Sequence, residues 1–360
     1  MIPFSGPAQA DLPPGYVIAL GDVDGDGDLD LLLHGWESGL PGNLPTGVTT
    51  LLSWDAQAGR YEPSAFPSGE DEGIEAEAEW AQFGDVDGDG DLDLVTDDRF
   101  RPVWINDGTG VFSAVVDSAL AGPDDGPSVV RARAMSDLDD DGDLDVVYVG
   151  SGPGHVWLND GAGHFTDSGQ ALSGDRGQSV ALGDVDGDGD TDMLVFNFAS
   201  RSGQGAEPDR VWLNDGTGHF DDSGQRLSGS VLSTHGALGD VDGDGDLDAV
   251  VGGFGGGLVW LNDGAGTFRD SGQRLDILDA RALSLGDLDG DGDIDVFMTG
   301  FGEGVRLWAN DSRGRFISVD GIPDAWEQFG VGAQADIDGD GIADLILAFY
   351  HHTELWLGGE

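Results

Sequence analysis

Short apolar runs separated by segments rich in Gly and Asp recur along the whole chain. The run Leu-Asp-Val-Val-Tyr-Val at residues 144–149 is rich in β-branched side chains and is followed by Gly, which is typical of a strand. No segment shows the sustained periodicity of an amphipathic helix. The pattern therefore predicts an all-β protein.

One acidic decapeptide is repeated almost unchanged. It reads Gly-Asp-Val-Asp-Gly-Asp-Gly-Asp-Leu-Asp at residues 21–30 and occurs in seven copies. The first aspartates of the copies are Asp22, Asp85, Asp137, Asp184, Asp240, Asp287 and Asp336. The average spacing of about 52 residues lies in the range of propeller blades and exceeds that of leucine-rich or ankyrin repeats.

A second motif follows the first in each repeat. Residues 211–216 read Val-Trp-Leu-Asn-Asp-Gly and lead to Phe220, and looser copies include Ser53-Trp54-Asp55 and Leu355-Trp356-Leu357-Gly358. Asn-Asp-Gly between apolar runs indicates a hairpin turn, because Asn and Gly tolerate positive φ. The fourth repeat accordingly predicts strands at 179–182, 192–196, 210–213 and 219–222. Four strands in each of seven units predict a seven-bladed β-propeller of four-stranded antiparallel blades.

The two ends of the chain predict how the ring closes. The seventh repeat stops without an aromatic strand, whereas Phe4 lies 18 residues before Asp22, close to the spacing seen inside the repeats. Residues 1–6 are therefore expected to complete the last blade and to cover open sheet edges. The expected blades of this single domain, residues 1–360, are 15–68, 79–117, 129–168, 177–223, 234–271, 281–320 and 330–360 together with 1–6.

Composition excludes several functions. The chain has 70 acidic and 15 basic residues, a formal charge of −55, and no cysteine. Such a charge repels nucleic-acid phosphates, so no nucleic-acid partner is expected. No apolar run approaches the ~18 residues of a membrane span, so no membrane insertion is expected. The first residues show no signal peptide.

Half of the acidic residues lie in the seven decapeptides, 35 of 70. Carboxylates packed this closely require a neutralising partner. Each loop has Asp at positions 1, 3, 5 and 9 and Gly at position 6, and an EF-hand loop uses positions 1, 3 and 5 with the carbonyl of position 7. A set made only of oxygens favours a hard cation, and several carboxylates with a carbonyl favour Ca²⁺ over Mg²⁺. The alternative is a series of solvated Asp-Gly turns without an ion.

The sequence thus predicts up to seven Ca²⁺ sites, with position 7 acting through its backbone carbonyl. The predicted ligands, loop by loop, are Asp22, Asp24, Asp26, Asp28 and Asp30; Asp85, Asp87, Asp89, Asp91 and Asp93; Asp137, Asp139, Asp141, Asp143 and Asp145; Asp184, Asp186, Asp188, Asp190 and Asp192; Asp240, Asp242, Asp244, Asp246 and Asp248; Asp287, Asp289, Asp291, Asp293 and Asp295; and Asp336, Asp338, Asp340, Ile342 and Asp344.

The acidic loop and the Trp-Leu-Asn-Asp-Gly-x-Gly-x-Phe motif together resemble the FG-GAP/VCBS family, the calcium-loop propellers of integrin α-subunit heads and of many microbial surface proteins. The resemblance covers essentially the whole chain. It implies that each loop joins the first two strands of a blade and that Asp at positions 1, 3, 5 and 9 holds the ion. It implies little about a partner, because propellers serve many functions.

The resemblance also implies that ligands meet the face opposite the acidic loops, where the connections vary most. Three tryptophans outside the repeat and three histidines are candidates for this face: Trp36, Trp80, Trp326, His34, His351 and His352. The tryptophans either stack on sugars or cap blades.

Three functions remain open. The first is an adhesion or protein-interaction module, and the second is a lectin with sites between blades. The third is a polysaccharide lyase using the histidines with Arg99 and Arg101, which no nucleophile or paired-carboxylate pattern supports, so no enzyme is expected. A monomer with a protein or glycan partner is expected. Weak calcium affinity of this loop type indicates an extracellular or cell-surface location.

Overall fold

A computed structural model describes most of the chain. The described residues are 7–13, 16–36, 47–64, 80–98, 102–115, 120, 130–172, 176–198, 207–227, 231–301, 303–319, 331–348 and 352–359.

The described residues form short strands and no helix. In chain order they are β1 Gln9–Leu12, β2 Tyr16–Gly21, β3 Asp30–Trp36, β4 Gly47–Asp55, β5 Arg60–Pro63, β6 Ala81–Gly84, β7 Asp93–Thr96, β8 Val103–Asn106, β9 Phe112–Ala114, β10 Val130–Ser136, β11 Asp145–Gly150, β12 Gly152–Asn159, β13 Phe165–Leu172, β14 Gly177–Gly183, β15 Asp192–Asn197, β16 Asp209–Asn214, β17 Phe220–Leu227, β18 Leu232–Gly239, β19 Asp248–Phe254, β20 Gly256–Leu261, β21 Arg269–Leu275, β22 Ala280–Gly286, β23 Asp295–Gly300, β24 Gly304–Ala309, β25 Ile317–Val319, β26 Val331–Ala335, β27 Asp344–Ala348 and β28 Thr353–Trp356.

These strands build seven antiparallel sheets of four strands each, which we number blades 1 to 7 from β2–β5 onward. The first strands of successive blades contact one another, from β2 through β6, β10, β14, β18 and β22 to β26, and β26 contacts β2. The first strands therefore line the centre of a closed ring. The predicted all-β, seven-bladed β-propeller is confirmed.

An N-terminal strand closes the ring, as predicted. β1 pairs with β28, so the sheet of blade 7 runs β1-β28-β27-β26. The closing strand is Gln9–Leu12, further along the chain than the predicted residues 1–6, which lie outside the described residues. Leu12 is buried between blades 7 and 1, and Gln9 exchanges two hydrogen bonds with the backbone of Tyr61 in blade 1. These contacts fix the position of the strand.

The core lies between blades. The second strands of blades 2, 3, 4, 6 and 7 are buried along their whole length, as continuous apolar runs require. One cluster joins Val147 and Val149 of blade 3 to Met193, Trp212 and Phe220 of blade 4. Each blade thus buries its faces against its neighbours.

Blade 1 departs from the tryptophan pattern. Leu52 pairs with Leu31 as Trp104 of blade 2 pairs with Leu94, so Trp54 lies two residues beyond the repeated Trp position. Assigning Trp54 to that position from sequence was therefore wrong. Trp54 occupies the place of the later Asn and packs in the cluster that contains Ile337 of the acidic loop in blade 7. We number the acidic loops 1 to 7 by their blades.

The glycine before each acidic loop allows close approach of the next blade. A Cβ at Gly21 would lie 2.8 Å from Leu92, and one at Gly183 would lie 2.6 Å from Leu247. Blade 7 has Ala335 instead of this glycine, and blade 3 has Ser136. Blade 4, which packs against blade 3, has Thr191 where blades 2 and 5 carry Leu92 and Leu247. The two hydroxyls lie 3.2 Å apart. The side chains of blades 3 and 4 at this contact are therefore matched in size and polarity.

Candidate metal centre

The acidic loops share one backbone conformation, shown by loop 4 between β14 and β15. The N–H groups of Gly187 and Gly189 donate to the two oxygens of Asp184 over 2.7 and 3.1 Å. Both glycines have positive φ, 79° and 102°, which explains why the sequence places Gly there. Position 1 therefore fixes the turn that gathers the later carboxylates.

The loops bring the carboxylates of positions 1, 3 and 9 together. In loops 1 to 5 one oxygen from each lies within 4.8 Å of the others, and the groups are Asp22, Asp24 and Asp30; Asp85, Asp87 and Asp93; Asp137, Asp139 and Asp145; Asp184, Asp186 and Asp192; and Asp240, Asp242 and Asp248. The described arginine ion pairs involve acids outside the loops: Glu62, Glu207, Asp222, Asp270 and Asp279.

Position 9 anchors each site in the blade. Asp192 is buried and accepts the N–H of Val185 over 3.0 Å and that of Asn214 over 2.8 Å. Burial raises the pKa of Asp192 to about 6, although both hydrogen bonds act in the opposite direction. The same cause raises the pKa of Asp145 to about 7. Burial therefore makes the anionic form of these carboxylates less favourable here than in water.

Burial and neighbouring charges disfavour the anionic form of the aspartate at position 3. Burial, followed by the charge of Asp188, raises the pKa of Asp186. Burial and the charge of the position-5 aspartate raise the pKa of Asp24, Asp87, Asp139 and Asp242 in the same way. A cation among these groups would reverse the effect.

Some oxygens of the described loops are buried and have no hydrogen-bond partner, among them Oδ1 of Asp137, Oδ1 of Asp139 and Oδ1 of Asp242. Burying a carboxylate oxygen without a partner is costly. Two of them lie in loop 3, in one group with Asp145. The donor set consists of oxygens that are preorganised and lack donors, so the residues present fit a hard cation.

Positions 5 and 7 behave differently. The carboxylate of Asp188 at position 5 is outside the group of loop 4 and accepts the N–H of Asp190 over 3.0 Å. Its role as a ligand stays a prediction. The carboxylate of Asp190 at position 7 lies against Gly216 of the Asn-Asp-Gly turn, where a Cβ would lie 2.9 Å from it. This placement agrees with position 7 acting through its carbonyl.

Loops 3 and 7 differ from the repeated sequence at one or two positions but keep the aspartates at positions 1, 3, 5 and 9. In loop 3 Asp140 replaces Gly at position 4 and has a φ of 59°. In loop 7 Ile342 occupies position 7, yet Asp344 still accepts the N–H of Ile337 over 2.7 Å, and Asp336 that of Gly341 over 2.9 Å. The fold of loop 7 therefore survives the change.

Adjacent loops are linked by the asparagine of the Asn-Asp-Gly turn, a role that sequence reasoning missed. Asn262 of blade 5 donates its Nδ2 to Leu247 O in its own loop over 3.1 Å and to Val185 O in loop 4 over 2.7 Å. Four further asparagines make the same link to the preceding loop: Asn106, Asn159, Asn214 and Asn310. The recurrence of Asn at this position in five of the seven repeats was the available signal.

The described candidates for the opposite face, His34, Trp80 and His352, lie in different surroundings. His34 is buried and bonded to Thr49 over 2.9 Å, so its proposed place on a ligand face was wrong; it lies within β3 and not in the connection after it. Trp80 is half-buried against a core cluster and below the Arg133 guanidinium. His352 is partly buried and lies 3.1 Å from Glu354. Trp36 ends β3, and nothing further is described of its side chain; Trp326, His351, Arg99 and Arg101 lie outside the described residues.

Comparison with known families supports the repeat. Residues 137–195, 198–251, 240–297 and 287–347 match the sequence model of a family described as FG-GAP-like repeat. These segments cover more than half of the chain. No curated protein matches it.

One solved structure supports the fold. A lectin of Agrocybe aegerita, described by its specific recognition of non-reducing terminal N-acetylglucosamine, is similar with a TM-score of 0.58 and 22% identity over 85% of this chain and 79% of its own. The Photorhabdus luminescens Tc holotoxin pore matches with a TM-score of 0.39 and 21% identity over 92% of this chain and 18% of its own.

Within the described ranges there is no helix with the length and apolarity needed to cross a membrane.

Proposed function

The chain belongs to the FG-GAP-like repeat family, and we propose that it is a calcium-binding β-propeller that acts as an extracellular adhesion or protein-interaction module, not as an enzyme. The proposal has two parts. The acidic loops hold Ca²⁺, and the ions stiffen a scaffold whose opposite face meets a partner.

The observation that carries the first part is the set of buried, unpartnered carboxylate oxygens. Asp137 and Asp139 each have one such oxygen, in the same group as Asp145. Like charges this close disfavour the folded chain unless a cation is bound, since burial weakens screening. The ion would be held by positions 1, 3 and 9, with position 5 and the carbonyl of position 7 as further oxygen donors. It would supply charge neutralisation and rigidity, which is a structural role.

The second part rests on the calcium affinity expected of such loops and on the variable connections of the ring. Calcium loops in extracellular modules bind at about 10⁻⁴–10⁻³ M, a concentration available outside cells. The rigid ring with variable connections suits presentation of loops to a partner. An extracellular or cell-surface interaction module is therefore the function that we propose first.

Glycan binding is the second candidate. The Agrocybe aegerita lectin recognises terminal N-acetylglucosamine, and its likeness to this chain is one of fold. Because small ligands bind preferentially in clefts between structural units, grooves between blades are the places to test.

Equilibrium dialysis against Ca²⁺ and thermal melting with and without chelator test the first proposal. We expect up to seven bound ions and a higher melting temperature in Ca²⁺. Asp186→Asn removes a carboxylate of the loop 4 group, and we expect it to bind one ion fewer.

Asp190→Asn is the matched control, because it changes the same charge in the same loop at a side chain that lies against Gly216. We expect it to retain the full number of ions. Absence of bound calcium, or equal losses in both variants, would contradict the proposal.

A further inference from the structure

Hydrogen bonds join the buried aspartates of neighbouring acidic loops. In loop 4, Asp192 at position 9 accepts the N–H of Val185 over 3.0 Å. Val185 O accepts Nδ2 of Asn262 in blade 5 over 2.7 Å, and the N–H of Asn262 donates to Asp248, position 9 of loop 5, over 2.8 Å. Three hydrogen bonds in series therefore connect a predicted ligand of loop 4 to a predicted ligand of loop 5.

The same connection is repeated at every junction from loop 1 to loop 6. The asparagine of each later blade donates its backbone N–H to position 9 of its own loop and Nδ2 to the carbonyl of position 2 in the preceding loop. Position 2 of that loop donates its N–H to position 9, and all these bonds measure 2.7–3.1 Å. The position-9 residues joined in this way are Asp30, Asp93, Asp145, Asp192, Asp248 and Asp295. We call this series the asparagine chain.

Loop 7 lies outside the asparagine chain. Blade 7 has Gly358 at the place of the asparagine, and its N–H donates to Asp344 over 2.7 Å, but glycine has no side chain that reaches loop 6. In blade 1 the place is taken by Trp54, which has no carboxamide and packs in an apolar cluster. Loop 7 keeps a backbone bond to loop 6, from the N–H of Ala343 to Asp287 O over 2.9 Å, which involves neither position-9 carboxylate.

The asparagine chain gives a physical route by which one loop affects the next. An ion in loop 5 fixes Asp248, which holds the backbone N–H of Asn262. Asn262 then holds the peptide group of Val185, which lies between Asp184 and Asp186 of loop 4. Loop 4 therefore loses less conformational entropy when its own ion binds, and by linkage the effect is the same in the other direction. Repulsion between ions in neighbouring loops opposes this effect, so the sign of the coupling is the quantity to measure.

We propose that loops 1 to 6 bind Ca²⁺ with positive cooperativity through the asparagine chain, whereas loop 7 binds independently of them. Cooperative sites fill over a narrow range of calcium concentration, so the ring becomes rigid near a threshold. This inference rests on the proposed calcium binding and specifies how the binding is regulated.

Calcium-binding isotherms from equilibrium dialysis test the proposal. Asp186→Asn disables loop 4, and Asp338→Asn, the matched control, makes the same change of charge at position 3 of loop 7. We expect each variant to bind one ion fewer. In Asp186→Asn the ions of loops 3 and 5 should bind about fivefold more weakly, the lower end of the usual range for coupled sites, which raises the half-saturating calcium concentration. In Asp338→Asn this concentration should equal that of the parent protein.

Asn262→Ala tests the link itself. It keeps every carboxylate, so we expect all seven ions to bind with a lower Hill coefficient than in the parent protein. Gln225→Ala is its control, because Gln225 joins the same two blades through Phe268 N–H and Gly266 O, outside the asparagine chain. The control should keep the Hill coefficient of the parent protein. A single sharp melting transition in saturating Ca²⁺ shows that each variant is folded.

Three results overturn the proposal: a Hill coefficient of 1 or less in the parent protein, equal shifts in Asp186→Asn and Asp338→Asn, or equal Hill coefficients in Asn262→Ala and Gln225→Ala. The first pair of variants decides the matter even where Asn262→Ala does not fold. Binding of seven independent ions overturns this inference and leaves the calcium proposal intact, whereas absence of bound calcium overturns both.

Discussion

Replacing Asn262 by alanine tests the link between adjacent loops. The side chain is 3% exposed, and Asn262→Ala removes its bonds to Val185 O and Leu247 O and from the N–H of Asp263. Val185 O keeps a bond from the N–H of Gly266 at 2.9 Å, so the loss there is limited to one bond. At about 1 kcal/mol for each bond, with some cost for the carbonyl of Leu247, we expect a loss of about 2–3 kcal/mol.

Chemical denaturation of the calcium-saturated protein measures this loss. Gln225→Ala is the matched control, because Gln225 also joins two blades, through Phe268 N–H and Gly266 O, but lies on an outer strand where water replaces the amide. We expect the control to lose less than about 1 kcal/mol. A loss in Asn262→Ala no larger than in the control would refute the reasoning.

Two further predictions concern buried groups away from the loops. Gly236→Ala places a Cβ 2.3–2.5 Å from the ring of Phe196, and we expect the free energy of unfolding from thermal melting to fall by about 1–3 kcal/mol. The double variant with Phe196→Leu should recover part of this loss, and the absence of any recovery would contradict the prediction. Burial raises the pKa of Asp209 to about 7. Folding therefore favours the protonated form of Asp209. The stability that this contributes is fully present below the ordinary carboxyl pKa of about 4 and is lost as the pH rises through 7. The melting temperature of the calcium-saturated protein should therefore fall from pH 5 to 8, less steeply in Asp209→Asn, and equal slopes would count against this cause.

The blade count was predictable because each acidic loop marks one blade. The constraint is local, since the loop geometry depends on residues at most nine positions apart. The same argument predicted that positions 1, 3, 5 and 9 meet, and in loop 4 Asp184, Asp186 and Asp192 do so, while Asp188 at position 5 lies outside their group. What failed was reasoning about residues whose partners are distant in sequence.

Two examples show the difference. Asn262 reads as a turn residue, and its bond to Val185 spans 77 positions and becomes visible only in the ring. The closing strand was sought through the spacing of Phe4, whereas Gln9 and Leu12 correspond to Gln170 and Leu172 of blade 3, which also bind the next blade. Burial of His34 was likewise a consequence of packing that no spacing predicts.

The hydroxyl contact between Ser136 and Thr191 limits how this chain can be rearranged. If blade 4 followed a blade whose first strand ends in Gly21 or Gly183, Thr191 would occupy a space that Leu92 or Leu247 fills now. If a blade with leucine at this position followed blade 3, that leucine would meet Ser136. Shuffled or extended versions of the protein should therefore move blades 3 and 4 as a pair. The seven repeats look alike in sequence, but the contact between blades 3 and 4 is specific to that pair.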